Sequence, residues 1–95
     1  MATHRTSELE TALCNKGYAE DNTHRKMYWY YFDGRKTALR TRTSQGERTF
    51  DDWLFDQRRK QMGNLSKQQM IDFMECRFTG DMYKQYLLDN DVVKP

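Results

Sequence analysis

The first residues with chemical potential are His24, Arg25 and Lys26, a titratable base set directly beside two fixed cations. A histidine ionises at about 6.5 when unperturbed, and neighbouring cations favour its neutral form. A neutral imidazole of this kind is suited to taking the proton of a ribose 2′-hydroxyl while a cation stabilises the phosphorane, a step that needs no metal. The bland counterpart is a surface or hydrogen-bonding histidine at the start of a strand. A second pattern follows at once. Trp29 and Tyr31 precede Lys36, Arg40 and Arg42, and cations for phosphate with π-faces for unpaired bases are what single-stranded nucleic acid requires. The alternative for this face is solubility alone.

Other chemistries lack their residues. Gly17, Gly34, Gly46, Gly63 and Gly80 are isolated between elements, so no glycine-rich phosphate loop exists, and no nucleophile elbow either. Cys14 and Cys76 lie far apart and, with His4 and His24, make no zinc spacing. They are expected as free thiols, and no metal or cofactor is expected. Asp51-Asp52 and the Asp89, Asp91 pair fall at a helix start and in the tail, where capping or solvated roles are usual. The six methionines fall mostly among apolar residues at helical spacing, which is core packing. His4 lies in a segment expected to fray.

The elements that must position these side chains follow from pattern. Ser7 and Glu10 have capping-box form, with Leu9, Ala12 and Leu13 as an apolar stripe, and Gly17 stops this first helix. Tyr18 opens a short edge strand. Residues 27–32 are a run of large, mostly aromatic side chains that suits a strand, and Asp33-Gly34 fits a two-residue type I′ hairpin turn. With that turn, Phe32 pairs with Arg35, Tyr30 with Thr37, Trp29 with Ala38, Met27 with Arg40 and Arg25 with Arg42. One face then carries Tyr28, Tyr30, Phe32 and Leu39. The other carries Trp29 and Tyr31 among Arg25, Lys36, Arg40 and Arg42. Burying several unpaired guanidinium groups is prohibitive, so the second face is the wet one.

Three further helices complete the chain. One starts near Thr49 and Asp52 with a stripe of Phe50, Trp53, Leu54 and Gln57, and ends at Gly63. Ser66 and Gln69 form a second capping box, and Thr79 caps a fourth helix using Met82, Tyr83, Tyr86 and Leu87 before a frayed tail from Asp89. The expected class is α+β: a helix, a two- or three-stranded antiparallel sheet, then two to three helices. Residues 1–95 form a single domain, with a core over about 7–63 and a C-terminal helical extension over about 66–89.

Charge sharpens the partner class. The formal net charge is only +2, yet residues 24–48 carry +5 between flanks of −2 and −1. Such asymmetry points to a partner rather than to a fold. No run approaches eighteen apolar residues and the first residues lack the apolar run of a signal peptide, so a soluble cytoplasmic protein without membrane contact is expected.

Leu13 to Gly17, Thr23-His24, the aromatic strand, Asp33-Gly34-Arg35-Lys36-Thr37 and Ser44-Gln45-Gly46 together resemble the HicA-like toxin family and its uncharacterised relatives, over roughly residues 9–65. Where that family has a His-His element this chain has His24 alone, and Gln45 stands where relatives often carry a second histidine. The resemblance implies a double-stranded-RNA-binding-domain-like αβββα fold, endonuclease action on mRNA, a catalytic His24 and a cognate antitoxin as partner. The resulting expectation is an RNA-binding protein, with a metal-independent endoribonuclease as its catalytic form. His24 would be general base or acid, Arg25 and Lys26 would hold phosphate, and Trp29, Tyr31, Lys36, Arg40 and Arg42 would form the binding face. The competing expectation is a non-enzymatic interaction module, phage or host, whose helices dock a protein partner through Trp53, Phe55, Tyr83 or Tyr86. A homodimer through those helices or a strand edge also fits.

Overall fold

A computed structural model describes residues 3–21, 26–44, 46–75 and 77–93. In it the aromatic run becomes the central strand of a sheet. The elements are β1 (His4–Arg5), α1 (Thr6–Asn15), β2 (Tyr18–Asp21), β3 (Lys26–Phe32), β4 (Arg35–Thr43), β5 (Thr49–Phe50), α2 (Asp52–Gln61), α3 (Lys67–Met74) and α4 (Gly80–Asp89). Strands β2, β3 and β4 form an antiparallel sheet in that order, and β1 pairs with β5 in a separate two-stranded ribbon. The α+β class and the helix, sheet, helices order are those expected from the sequence.

The hairpin forms about Asp33 and Gly34, both at positive φ (50° and 79°), as a type I′ turn demands. Pairing starts in the expected register, Phe32 with Arg35 and Tyr31 with Lys36, and then shifts. Beyond the shift Trp29 pairs with Arg40 and Met27 with Arg42, not with Ala38 and Arg40. Tyr30 alone faces the three residues Thr37, Ala38 and Leu39. The Thr37 side chain closes this bulge: its hydroxyl donates to the Tyr30 carbonyl (2.8 Å) and accepts from the Leu39 N–H (3.2 Å). Because the surplus on β4 is even, side-chain parity survives and the described residues keep their expected faces; Arg25 lies outside the described residues.

Tyr18, Tyr28, Tyr30 and Phe32 are buried and share one hydrophobic cluster with Leu9 and Leu13 of α1, Met70 and Phe73 of α3, and Tyr83 and Leu87 of α4. The segment 66–89 therefore supplies part of the core against which the sheet packs. Tyr83 stands at its centre, edge-on to Tyr30, Phe73 and Phe78 at 5.0–5.8 Å between ring centroids. Its hydroxyl donates to the Met62 carbonyl (2.7 Å), so the Tyr18 hydroxyl, 2.7 Å away, must be the donor between the two. Burial raises the pKa of both phenols and keeps them neutral.

Three expectations are corrected. The first helix has no Ser7–Glu10 capping box: it begins at Thr6 with Arg5 as an N-cap that makes no side-chain bond. Glu10 turns instead to the sheet, accepting from Thr43 Oγ1 (2.7 Å) and Tyr28 Oη (3.1 Å). Helix α2 is capped by Asp51, and its inner face carries Phe55 and Arg58, with Met62 buried just past its end, while Trp53 points outward. The tail beyond Asp89 is folded back: Asp91 adopts a positive φ of 56°, Val92 N–H bonds the Leu87 carbonyl (2.9 Å) and Val93 is buried. The Ser66–Gln69 capping box and the Thr79 cap form as expected.

Gly17 shows why α1 must end where it does. Its φ is +106°, and a Cβ there would sit 2.7 Å from the Tyr30 ring. Gly17→Ala is expected to cost about 1–3 kcal/mol of stability, read as a lowered urea midpoint at unchanged m-value.

Candidate nucleic-acid interface

The outward face of the sheet is built by alternation. Trp29 and Tyr31 on β3 project from the side opposite Tyr28, Tyr30 and Phe32, and Arg40 and Arg42 join them from β4 across the Trp29–Arg40 and Met27–Arg42 pairs. Tyr31 is 39% exposed, beside Lys36 in the pairing. The Trp29 indole has the Lys36 ammonium 4.2 Å and the Arg40 guanidinium 5.3 Å from its ring. Such cation–π contacts are worth about 0.5–1 kcal/mol at exposed sites, less than the roughly 1–3 kcal/mol of a base stacked on an aromatic ring.

Ion pairs engage some of the cations. Arg58 is bound by Glu47, Arg59 by Asp56, Lys84 by Asp33 and Lys26 by Glu10. Among the described residues, Lys36, Arg40 and Arg42 make no ion pair with a carboxylate. Their charge is uncompensated and exposed. Beside them lies a groove of about 440 Å³ lined by Met27, Ala38, Arg40, Thr41, Arg42 and Gln61. Gln61 is fixed there because its Oε1 accepts from Thr41 Oγ1 (2.9 Å), which leaves its amide NH₂ as a further donor.

Of the residues expected from the sequence, Trp29, Tyr31, Lys36, Arg40 and Arg42 share this face. Lys26 does not. It lies on the Tyr28 side of β3, half-buried, with its ammonium 3.6 Å from Glu10. His24 and Arg25 lie outside the described residues, as do Gln45 and Cys76. Cys14 is a free, exposed thiol. Of the four aromatic residues expected for protein docking, Phe55 and Tyr83 are buried, Tyr86 is half-buried with its hydroxyl on the Gly63 carbonyl (2.8 Å), and Trp53 is 67% exposed.

Thr41 and Gln61 were not legible as site residues, since each is an ordinary polar residue in sequence. His4 also departs from its expected fraying: its ring stacks on Phe55 at 4.3 Å and its Nε2 lies 3.3 Å from Asp52. It is structural in this arrangement, closing the β1–β5 ribbon onto α2. No helix among the described residues is long and apolar enough to cross a membrane, and none of their His, Cys, Asp and Glu side chains form a group of three or more able to hold a metal. No protein-family model, curated protein or solved structure matches this chain.

Proposed function

We propose that the chain binds single-stranded RNA on the open face of its sheet, with Trp29 and Tyr31 as base platforms and Lys36, Arg40 and Arg42 as phosphate contacts. One observation carries this reading: the Trp29 indole has the Lys36 ammonium and the Arg40 guanidinium at its ring, with Arg42 on the same face, and none of the three makes an ion pair with a described carboxylate. A face built only for solubility has no need of cations gathered on an indole. An open, shallow surface also suits an unpaired strand, whose bases are accessible from the side.

The test is a titration of a fluorescent oligouridylate at low salt. Trp29→Ala is expected to weaken binding by about 1–3 kcal/mol while the urea midpoint stays within about 1 kcal/mol of wild type, because Trp29 lies outside the buried core. Unchanged affinity in a folded variant contradicts the platform role.

The likeness to HicA-type toxins carries a second proposal, cleavage of mRNA with His24 as general base or acid and Arg25 holding phosphate. The segment containing both links β2 to β3 in the chain. Purified protein is then expected to cut single-stranded RNA with chelator present, and His24→Ala to abolish cleavage while binding persists. Equal cleavage by the variant sinks that role and leaves the binding face standing.

A further inference from the structure

The RNA surface continues beyond the sheet. A second groove, of about 180 Å³, is lined by Arg42, Ser44, Glu47, Trp53, Leu54, Gln57, Arg58 and Gln61. Arg42 and Gln61 line this groove and the one on the sheet face alike, so the two adjoin. Trp53 borders the second groove with two-thirds of its surface in solvent, which is unusual for so large an apolar side chain at the first turn of a helix packed against a core.

The charges in the second groove favour an anionic strand. Its one carboxylate, Glu47, is consumed by Arg58 and Thr6, and its remaining uncompensated charge is Arg42. Gln57 and Gln61, four residues apart on one face of α2, add side-chain amides without adding negative charge. An apolar protein partner would instead bring the Arg42 guanidinium into a dry interface with no carboxylate provided for it, which is strongly unfavourable.

We infer that Trp53 is a second base platform, and that a single RNA strand runs from Trp29 across Arg42 to Trp53, with Gln61 and Gln57 contacting bases or sugar along the way. This rests on the proposal that the sheet face binds RNA. It makes the footprint longer than the sheet alone supplies. The occupant is an unpaired strand rather than a duplex, because two separate aromatic platforms serve bases that are free to stack singly.

The experiment compares two probes, a uridine trinucleotide and an oligouridylate of about eight nucleotides, within the range of single-stranded sites. Trp53→Ala is expected to weaken the longer probe at least about fivefold, the lower end of one lost stack, and to leave the trinucleotide unchanged. Trp29→Ala weakens both. If neither probe binds the wild-type protein, the sheet-face reading itself fails. If both bind and Trp53→Ala changes neither, the sheet face stands and the extension is wrong. If that variant keeps full RNA affinity but converts a larger species to a smaller one in size-exclusion chromatography, Trp53 serves a protein contact and the inference is likewise overturned. Trp53→Phe, which keeps a smaller stacking face, is expected to recover part of the loss, whereas a purely structural role at this exposed position predicts no difference between the two variants.

Discussion

Glu47→Ala is expected to lower stability by about 3–5 kcal/mol, the usual cost of removing one member of a buried ion pair. The carboxylate receives Arg58 Nη1 at 2.7 Å, Arg58 Nη2 at 2.9 Å and Thr6 Oγ1 at 2.8 Å, and the Arg58 side chain is only 4% exposed. The guanidinium also lies over the Phe50 ring, 4.7 Å from its centroid. Without Glu47 a full positive charge stays in that enclosure. Against a total of roughly 5–15 kcal/mol for a small domain, this loss is large enough to unfold part of the population at room temperature.

The same pair sets an acid limit. Burial alone would raise the Glu47 pKa, but the hydrogen bonds from Arg58 and Thr6, the charge of Arg58 and a backbone hydrogen bond at Ser44 together outweigh it and hold the carboxyl below its ordinary range. A lowered folded pKa means that the contribution is fully present above the unfolded value, about 4.3 for a glutamate. It is lost as pH falls from there through the folded pKa. Wild-type stability should therefore decline across that window more steeply than the stability of a Glu47→Leu, Arg58→Met double variant, which has no pair to protonate. The double variant should also recover much of the single variant's loss, since apolar replacement of a buried pair is often neutral. Urea midpoints measured from neutral pH downward check both statements.

The second large effect concerns binding. Replacing Arg40 and Arg42 together by Ala is expected to flatten the dependence of log K on log salt by about 1.4, at roughly 0.7 per phosphate contact on a single strand. Carried from about 1 M down to about 50 mM salt, that slope corresponds to an affinity loss of roughly 60-fold. Both side chains are exposed and make no ion pair with a described carboxylate, so stability should move little. A parallel salt plot for the variant and the wild type would remove these arginines from the interface.

What the sequence disclosed depended on how local the determinant was. The Asp33-Gly34 turn is decided by two residues, and the division of the hairpin into an aromatic core face and a basic outer face is decided by parity, which the two-residue surplus at Thr37–Leu39 leaves untouched. That surplus was hidden because a threonine hydroxyl, rather than a glycine, closes the bulge. The β1–β5 ribbon has only two residues per strand, too few for any period. Helix α2 was rotated in the expectation because Arg58 reads as a surface cation; only its long-range partner Glu47 makes it an interior residue, and with it turn Phe55 inward and Trp53 outward. The chemistry of Lys26 was misplaced for a related reason, since Glu10 claims its charge from the neighbouring helix.

The most direct test of the RNA face is a titration of ¹⁵N-labelled protein with unlabelled oligouridylate at low salt, followed through backbone amides and the two indole N–H signals. Shifts are expected to concentrate on Trp29, Tyr31, Lys36, Arg40 and Arg42, with the Trp29 indole among the largest. Shifts confined to α3 and α4, or none at saturating oligonucleotide, would contradict it.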